Sequence, residues 1–136
     1  DYHAALKEIY RVLKPAGKFL PSVPSYWPEK ICWLLSKDYQ NMPGGHVRIF
    51  KKNQLINEVS SYGFHYSLSE RFHGLHSGYW WLRCTFWKNQ DSNFLVNIYK
   101  KFLEYHILKN PAWLNRLERI INPIFGKSVA FYFEKK

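Results

Sequence analysis

The chain has 136 residues, 46% of them hydrophobic and 19% aromatic, with 20 Lys and Arg against 10 Asp and Glu. That balance excludes a disordered tail, and no apolar run approaches the roughly 20 residues of a membrane-spanning helix. The length suits one domain, and Cys32 and Cys84, far apart in sequence, specify neither a CxxC metal knuckle nor a disulfide framework.

Asp1 stands where a helix N-cap would, and Ala5, Leu6, Ile9, Val12 and Leu13 then recur at helical spacing opposite Lys7, Glu8, Arg11 and Lys14. Pro15 and Gly17 end this helix, and Lys18 to Val23 resumes as a short apolar strand whose Pro21 marks a bulge or the strand's last turn. A loop through Pro24 and Pro28 leads to a helix over Glu29 to Tyr39, with Ile31, Leu34 and Leu35 expected inward, and then to a turn at Pro43-Gly44-Gly45. Asn53 to Tyr62 reads as the next helix, with Leu55, Ile56, Val59 and Tyr62 on one face and Lys51 and Lys52 where a cap would help. Gly63 ends it, and Phe64 to Phe72 alternates as a strand. Three helical patterns follow, Tyr79 to Trp87, Phe94 to Leu108, and Trp113 to Ile121, the last opened by Asn110 as cap and Pro111. The closing strand, Lys127 to Glu134, is apolar on both faces.

Three of these segments carry a resemblance. "ALKEIYRVLKPAGKFL" resembles the helix and fifth strand of class I S-adenosylmethionine-dependent methyltransferases, usually "L-x-E-x-x-R-V-L-K-P-G-G-x-[apolar]", with Ala16 in place of the more common Gly. "HVRIFKKNQLINEVSSYGF" (46 to 64) and "NPIFGKSVAFYFEKK" (122 to 136) resemble that family's segment before the sixth strand and its closing stretch. The resemblance spans about half the chain. It implies an α/β fold: the C-terminal part of a Rossmann-like methyltransferase sheet, strands 5, 7 and 6 with the last antiparallel between the others. Residues 1–136 would form a single partial domain, with 74–125 as a helical insertion and candidate lid.

The implied activity is transfer of a methyl group from S-adenosylmethionine to a small-molecule or lipid-like, apolar acceptor. Alignment supplies much of such catalysis, so no universal catalytic residue is expected. The seven glycines form no GxG turn after a strand. The cofactor loop would therefore precede Asp1, and the chain by itself is expected to be inactive. A reducing cytoplasm is the expected location by default, with peripheral membrane contact as an addition.

Candidate substrate-binding residues fall in three places. Tyr26 and Trp27 follow the first strand and would line an acceptor pocket or face a sulfonium, or else anchor their loop. His46 and Arg48 would orient or deprotonate an acceptor, against a reading as loop and surface residues. His76, Tyr79 and Trp80 belong to an aromatic run from His73 to Trp87 that suits either a core stripe or a lid over a greasy substrate. His73 and His76, three apart and without a third ligand at sensible spacing, give no zinc signature.

The formal charge of +10 fits a solvated basic surface or attraction to anionic lipid. No nucleic-acid module is recognisable in it, so a nucleic-acid partner is not expected. The alternative to the enzyme is a basic, aromatic-rich module that docks on a membrane surface or a partner protein.

Overall fold

In this computed structural model, which describes residues 1–136, the Asp1 carboxylate accepts hydrogen bonds from the N–H groups of His3 and Ala4 and so opens the first helix. Helix α1, Tyr2–Val12, buries Leu6 with Ile9 and Tyr10 beside it and leaves Lys7, Glu8 and Arg11 in solvent. Beyond it Ala16 sits at φ 60°, a left-handed conformation that favours glycine, with its N–H on the Lys135 carbonyl at 3.1 Å. The strand expected at Lys18 to Val23 is two pieces, β1 (Lys18–Phe19) and β2 (Ser22–Pro24). Pro21 lies in the break; it has no N–H for a ladder, although its carbonyl still accepts from Phe131 at 3.0 Å.

Two longer strands complete the sheet, β3 (Phe64–Phe72) and β4 (Ser128–Lys135). Every other strand pairs with β4 and every ladder is antiparallel: Lys18 faces Glu134, Val23 faces Val129, and β3 runs from Phe64 opposite Lys135 to Phe72 opposite Ser128. A register shift between Tyr66 and Leu68 interrupts the β3 alternation, which leaves Leu68 exposed although its spacing from Phe64 predicts burial.

These residues do not build a Rossmann-like methyltransferase sheet. No two strands pair in parallel, the sheet is small and open, and helices hold 58% of the chain, so helix packing rather than a central parallel sheet dominates the architecture. A helix running into an apolar strand suggests a parallel crossover unit. Here the strand after α1 is two residues long and its sole ladder is antiparallel to β4.

The main core lies where α1 and α4 (Lys52–Ser60) cover the sheet. Leu6, Leu55 and Val59 meet Phe64, Val129, Phe131 and Phe133 there, with Phe19, Tyr10 and Tyr66 at the margin. A helical layer contains the remaining elements: α2 (Tyr26–Leu35), the short α3 (Lys37–Gln40), α5 (Gly74–Thr85), α6 (Phe94–Lys109) and α7 (Ala112–Phe125). Helix α5 is its hub and packs against α2, α6 and α7. It begins at Gly74 rather than Tyr79, and Trp87 falls in a separate 3-10 turn, Trp87–Asn89. Asn110, expected to cap the third of these helices, instead ends α6 at φ 46°. Helix α2 also turns differently from expectation: Pro28, Glu29 and Cys32 are buried, while Leu34 and Leu35 face solvent.

Gly63 separates α4 from β3 at φ 97°, and a Cβ there would lie 2.8 Å from the Tyr10 ring, which is itself held between Phe64 and Lys135. Gly44, at φ 78°, has open space around it. Gly63→Ala is therefore expected to destabilise the fold by about 2 kcal/mol, combining backbone strain with a displaced ring. Gly44→Ala should cost about half of that, and chemical denaturation of the two variants checks the difference.

Candidate functional site

The most heavily partnered polar group in the chain is Glu29, which is fully buried. Its Oε1 accepts from the Tyr39 hydroxyl at 2.8 Å and bonds His46 Nδ1 at 2.8 Å, and its Oε2 is ion-paired with Lys127 Nζ. The Lys127 ammonium also lies 3.5 Å from Cys32 Sγ and 5.7 Å from the centre of the Trp80 ring. Burial works against ionisation of Glu29. The hydrogen bonds from His46 and Lys127, the Lys127 charge and the Tyr39 hydroxyl outweigh it and hold the carboxyl at about 2. Burial and then the hydrogen bond to Glu29 push the Tyr39 hydroxyl up in turn. Beside them the Cys32 and Cys84 thiols are free and buried; Cys84 lowers its neighbour and is itself raised by it.

The residues singled out in the sequence lie in separate places. His46 and Trp80 join the Glu29 and Lys127 cluster. Trp27 packs between Trp81 and Phe125 at 5.5 and 5.6 Å, and Tyr79 against Trp80 and Tyr99. The Arg48 guanidinium covers the Tyr2 ring at 4.8 Å, whose hydroxyl donates to Glu58 at 2.6 Å. Tyr26 lines an open cleft of about 650 Å³, together with Lys52, Glu70, Arg71, Phe72 and Arg119. Arg71 there also donates to the carbonyls of Pro123 and Ile124, which end α7.

His76 lies on α5 with His73 on one side and Glu118 of α7 on the other. Burial first, and then the neighbouring His73, push its imidazole below the ordinary value. The distance of 42 positions between His76 and Glu118 hides this grouping from the sequence; the packing of α7 on α5 creates it.

Helix α7 carries a second feature that periodicity alone obscures, because it is apolar on two faces. Leu114, Ile121 and Phe125 pack toward the protein. Trp113, Leu117, Ile120 and Ile124 recur at i, i+4, i+7 and i+11 and are 62%, 40%, 68% and 58% exposed. Arg116 borders this row and Arg119 lies further round the helix, both of them exposed. At the turn from α6, Ile107 and Leu108 are exposed as well, beside Lys109.

Comparison with known families, with curated proteins and with solved structures finds no match. The methyltransferase resemblance is corrected accordingly, and with it the enzymatic assignment and the cofactor. The two strand-to-helix junctions offer no glycine-rich turn for S-adenosylmethionine. Ser25 precedes α2 at one, and at the other the single Gly74 is packed so closely that a Cβ would lie 2.8 Å from Ile121. That glycine serves helix contact, not approach of a ligand to the backbone.

Glu29 has a folded value of about 2 against an ordinary value of 4.5, so its contribution is present above pH 4.5 and is lost as pH falls toward 2. Glu29→Gln is expected to lose about 3 kcal/mol at pH 7 and to show little further loss between pH 4.5 and 2, converging there with the native chain. The double change Glu29→Gln, Lys127→Met should recover most of that loss, because no buried charge is left unpaired. Urea denaturation at pH 7, 4.5 and 2 measures both effects.

Proposed function

We propose that this chain is a docking module that settles on anionic membrane surfaces through helix α7 and the turn before it. The observation that carries the reading is the solvent-facing row of Trp113, Leu117, Ile120 and Ile124, bordered by Arg116 and, further round the helix, by Arg119. Fourteen residues of helix extend about 21 Å, enough to lie along an interface. Rings and branched aliphatics enter the boundary between headgroups and acyl chains, and guanidinium groups pair with phosphates. No helix is long and apolar enough to cross a membrane, so the geometry suits lying on the surface rather than spanning it.

The excess of cations supports a lipid surface rather than a protein groove as the occupant. The chain carries +10, and further round α7 from the row Arg119 lines a cleft with Lys52 and Arg71, three cations against the single carboxylate of Glu70. Each basic side chain near an anionic surface contributes about 1 kcal/mol, an attraction that falls off within a Debye length.

The test is sedimentation with vesicles of neutral phosphatidylcholine, alone or mixed with phosphatidylserine, at low and high salt. Binding is expected with the anionic vesicles, weakened by salt. Ile120→Glu should reduce partitioning at least about tenfold, since a carboxylate enters the insertion face. Arg116→Gln with Arg119→Gln should reduce it about thirtyfold at low salt and far less at high salt. Brominated acyl chains should quench part of the tryptophan emission of the native chain, and Trp113→Phe should remove that quenched part. Failure to bind anionic vesicles, or binding that neither variant alters, overturns the proposal.

A further inference from the structure

The grouping of His73, His76 and Glu118 goes beyond docking and stands independently of it. We infer that these three side chains form a site for a divalent transition ion of the zinc class, bridging the start of α5 to the middle of α7.

Each of the three offers one ligand atom, and these atoms all lie within 4.8 Å of one another. Ligands around a tetrahedral zinc, at bonds of about 2.0–2.1 Å, stand about 3.3 Å apart, so closing the site requires small side-chain rotations. His73 is exposed and its ring is free to swing; it meets the His76 ring edge-on at a centroid distance of 5.2 Å. His73 occupies the left-handed region at φ 63°, so the backbone bends where β3 passes into α5 and brings both imidazoles to one side of the helix start.

A second observation points to a ligand. His76 Nδ1 and Glu118 Oε1 are both buried, and neither has a hydrogen-bond partner in the protein. Most buried polar atoms are paired, because an unpaired one loses its hydration without replacement. Here an imidazole nitrogen and a carboxylate oxygen are left unpaired in the same cluster, and one cation coordinated by both satisfies them together. Two imidazoles with one carboxylate form a nitrogen-rich donor set that suits zinc or cobalt and is poor for magnesium or calcium.

The surrounding contacts hold the two helices in the required register. The Gly74 N–H donates to Asn122 Oδ1 at 2.8 Å, and Ser77 Oγ donates to the Phe125 carbonyl at 2.5 Å. Glu118 lies one turn before Asn122 on the same face of α7, so the bond that fixes Asn122 at Gly74 also aims Glu118 at the two histidines. Three protein ligands leave a fourth position for water or an exogenous donor.

Calorimetric titration of the untagged chain with Zn²⁺, alongside visible absorption with Co²⁺, tests the site. One equivalent is expected to bind, with a tetrahedral cobalt spectrum lacking thiolate charge transfer and with no uptake of Mg²⁺. His76→Ala and Glu118→Gln should each weaken Zn²⁺ binding at least about tenfold and abolish the zinc-induced rise in Tm. Should either variant fail to fold, His73→Ala alters an exposed ligand and must show the same loss, whereas His65→Gln must not. Absence of Zn²⁺ binding by the native chain overturns the site. So does uptake that His73→Ala leaves unchanged, or a cobalt spectrum dominated by thiolate.

Discussion

The buried pair of Glu29 and Lys127 is the constraint on which the rest of the arrangement turns. It joins the first helix after β2 to the residue that precedes β4, across 98 positions of sequence. A backbone bond from Ser25 N–H to the Lys127 carbonyl, at 2.8 Å, fixes the same junction. An ionised pair tolerates burial only when its remaining hydrogen-bonding capacity is met, and Tyr39 and His46 meet it on Oε1. Trp80 and Tyr39 present ring faces to the ammonium at 5.7 and 6.0 Å, adding attraction without any further charge. Trp33, Trp81 and Trp87 join Trp80 against the neighbouring Cys32, Tyr39 and Cys84, so four tryptophans enclose the apolar side of this junction.

That junction also sets the position of α7, whose last residue is two before Lys127. Pinned there at its end and tied to α5 by Asn122 and Phe125, the helix cannot turn about its own axis without breaking buried polar bonds. One face is thus committed to Leu114, Glu118 and Ile121, and the adjacent face, about 100° round the helix, is left presenting Trp113, Leu117, Ile120 and Ile124. The exposed apolar row and the candidate metal ligand lie on adjacent faces of the same helix, held at fixed orientation by one set of anchors.

How much of this the sequence reveals depends on the range of the interaction. Local signals are legible: Asp1 as a cap, the α1 stripe, the Pro21 break, the run of β3 and the presence of three helices between the last two strands. The interior of α2 is not, because pattern reading assigns Leu34 and Leu35 inward, whereas the buried pairing of Glu29 with the distant Lys127 turns them to solvent. Leu68 is misplaced for a related reason, since a one-residue bulge turns the following side chains over. The motif-like run through α1 resembles a parallel crossover because helix, stop and strand share one local pattern in several architectures. What distinguishes them is the partner of the strand, which is far away in the chain. Glu118 is hidden from the histidines in the same manner.

The sheet has one further property, concerning the order in which it can be made. Strands β1, β2 and β3 never pair with one another; each pairs only with β4, which follows all of them in the chain. During synthesis the three earlier strands therefore have no native partner until the central one emerges, and the Lys18 to Glu134 pairing closes a loop of more than a hundred residues. The α5, α6 and α7 contacts close far shorter loops and can form while the strands wait. Loop-closure entropy therefore favours assembly from the helical layer inward, with the central β4 completing three ladders at once.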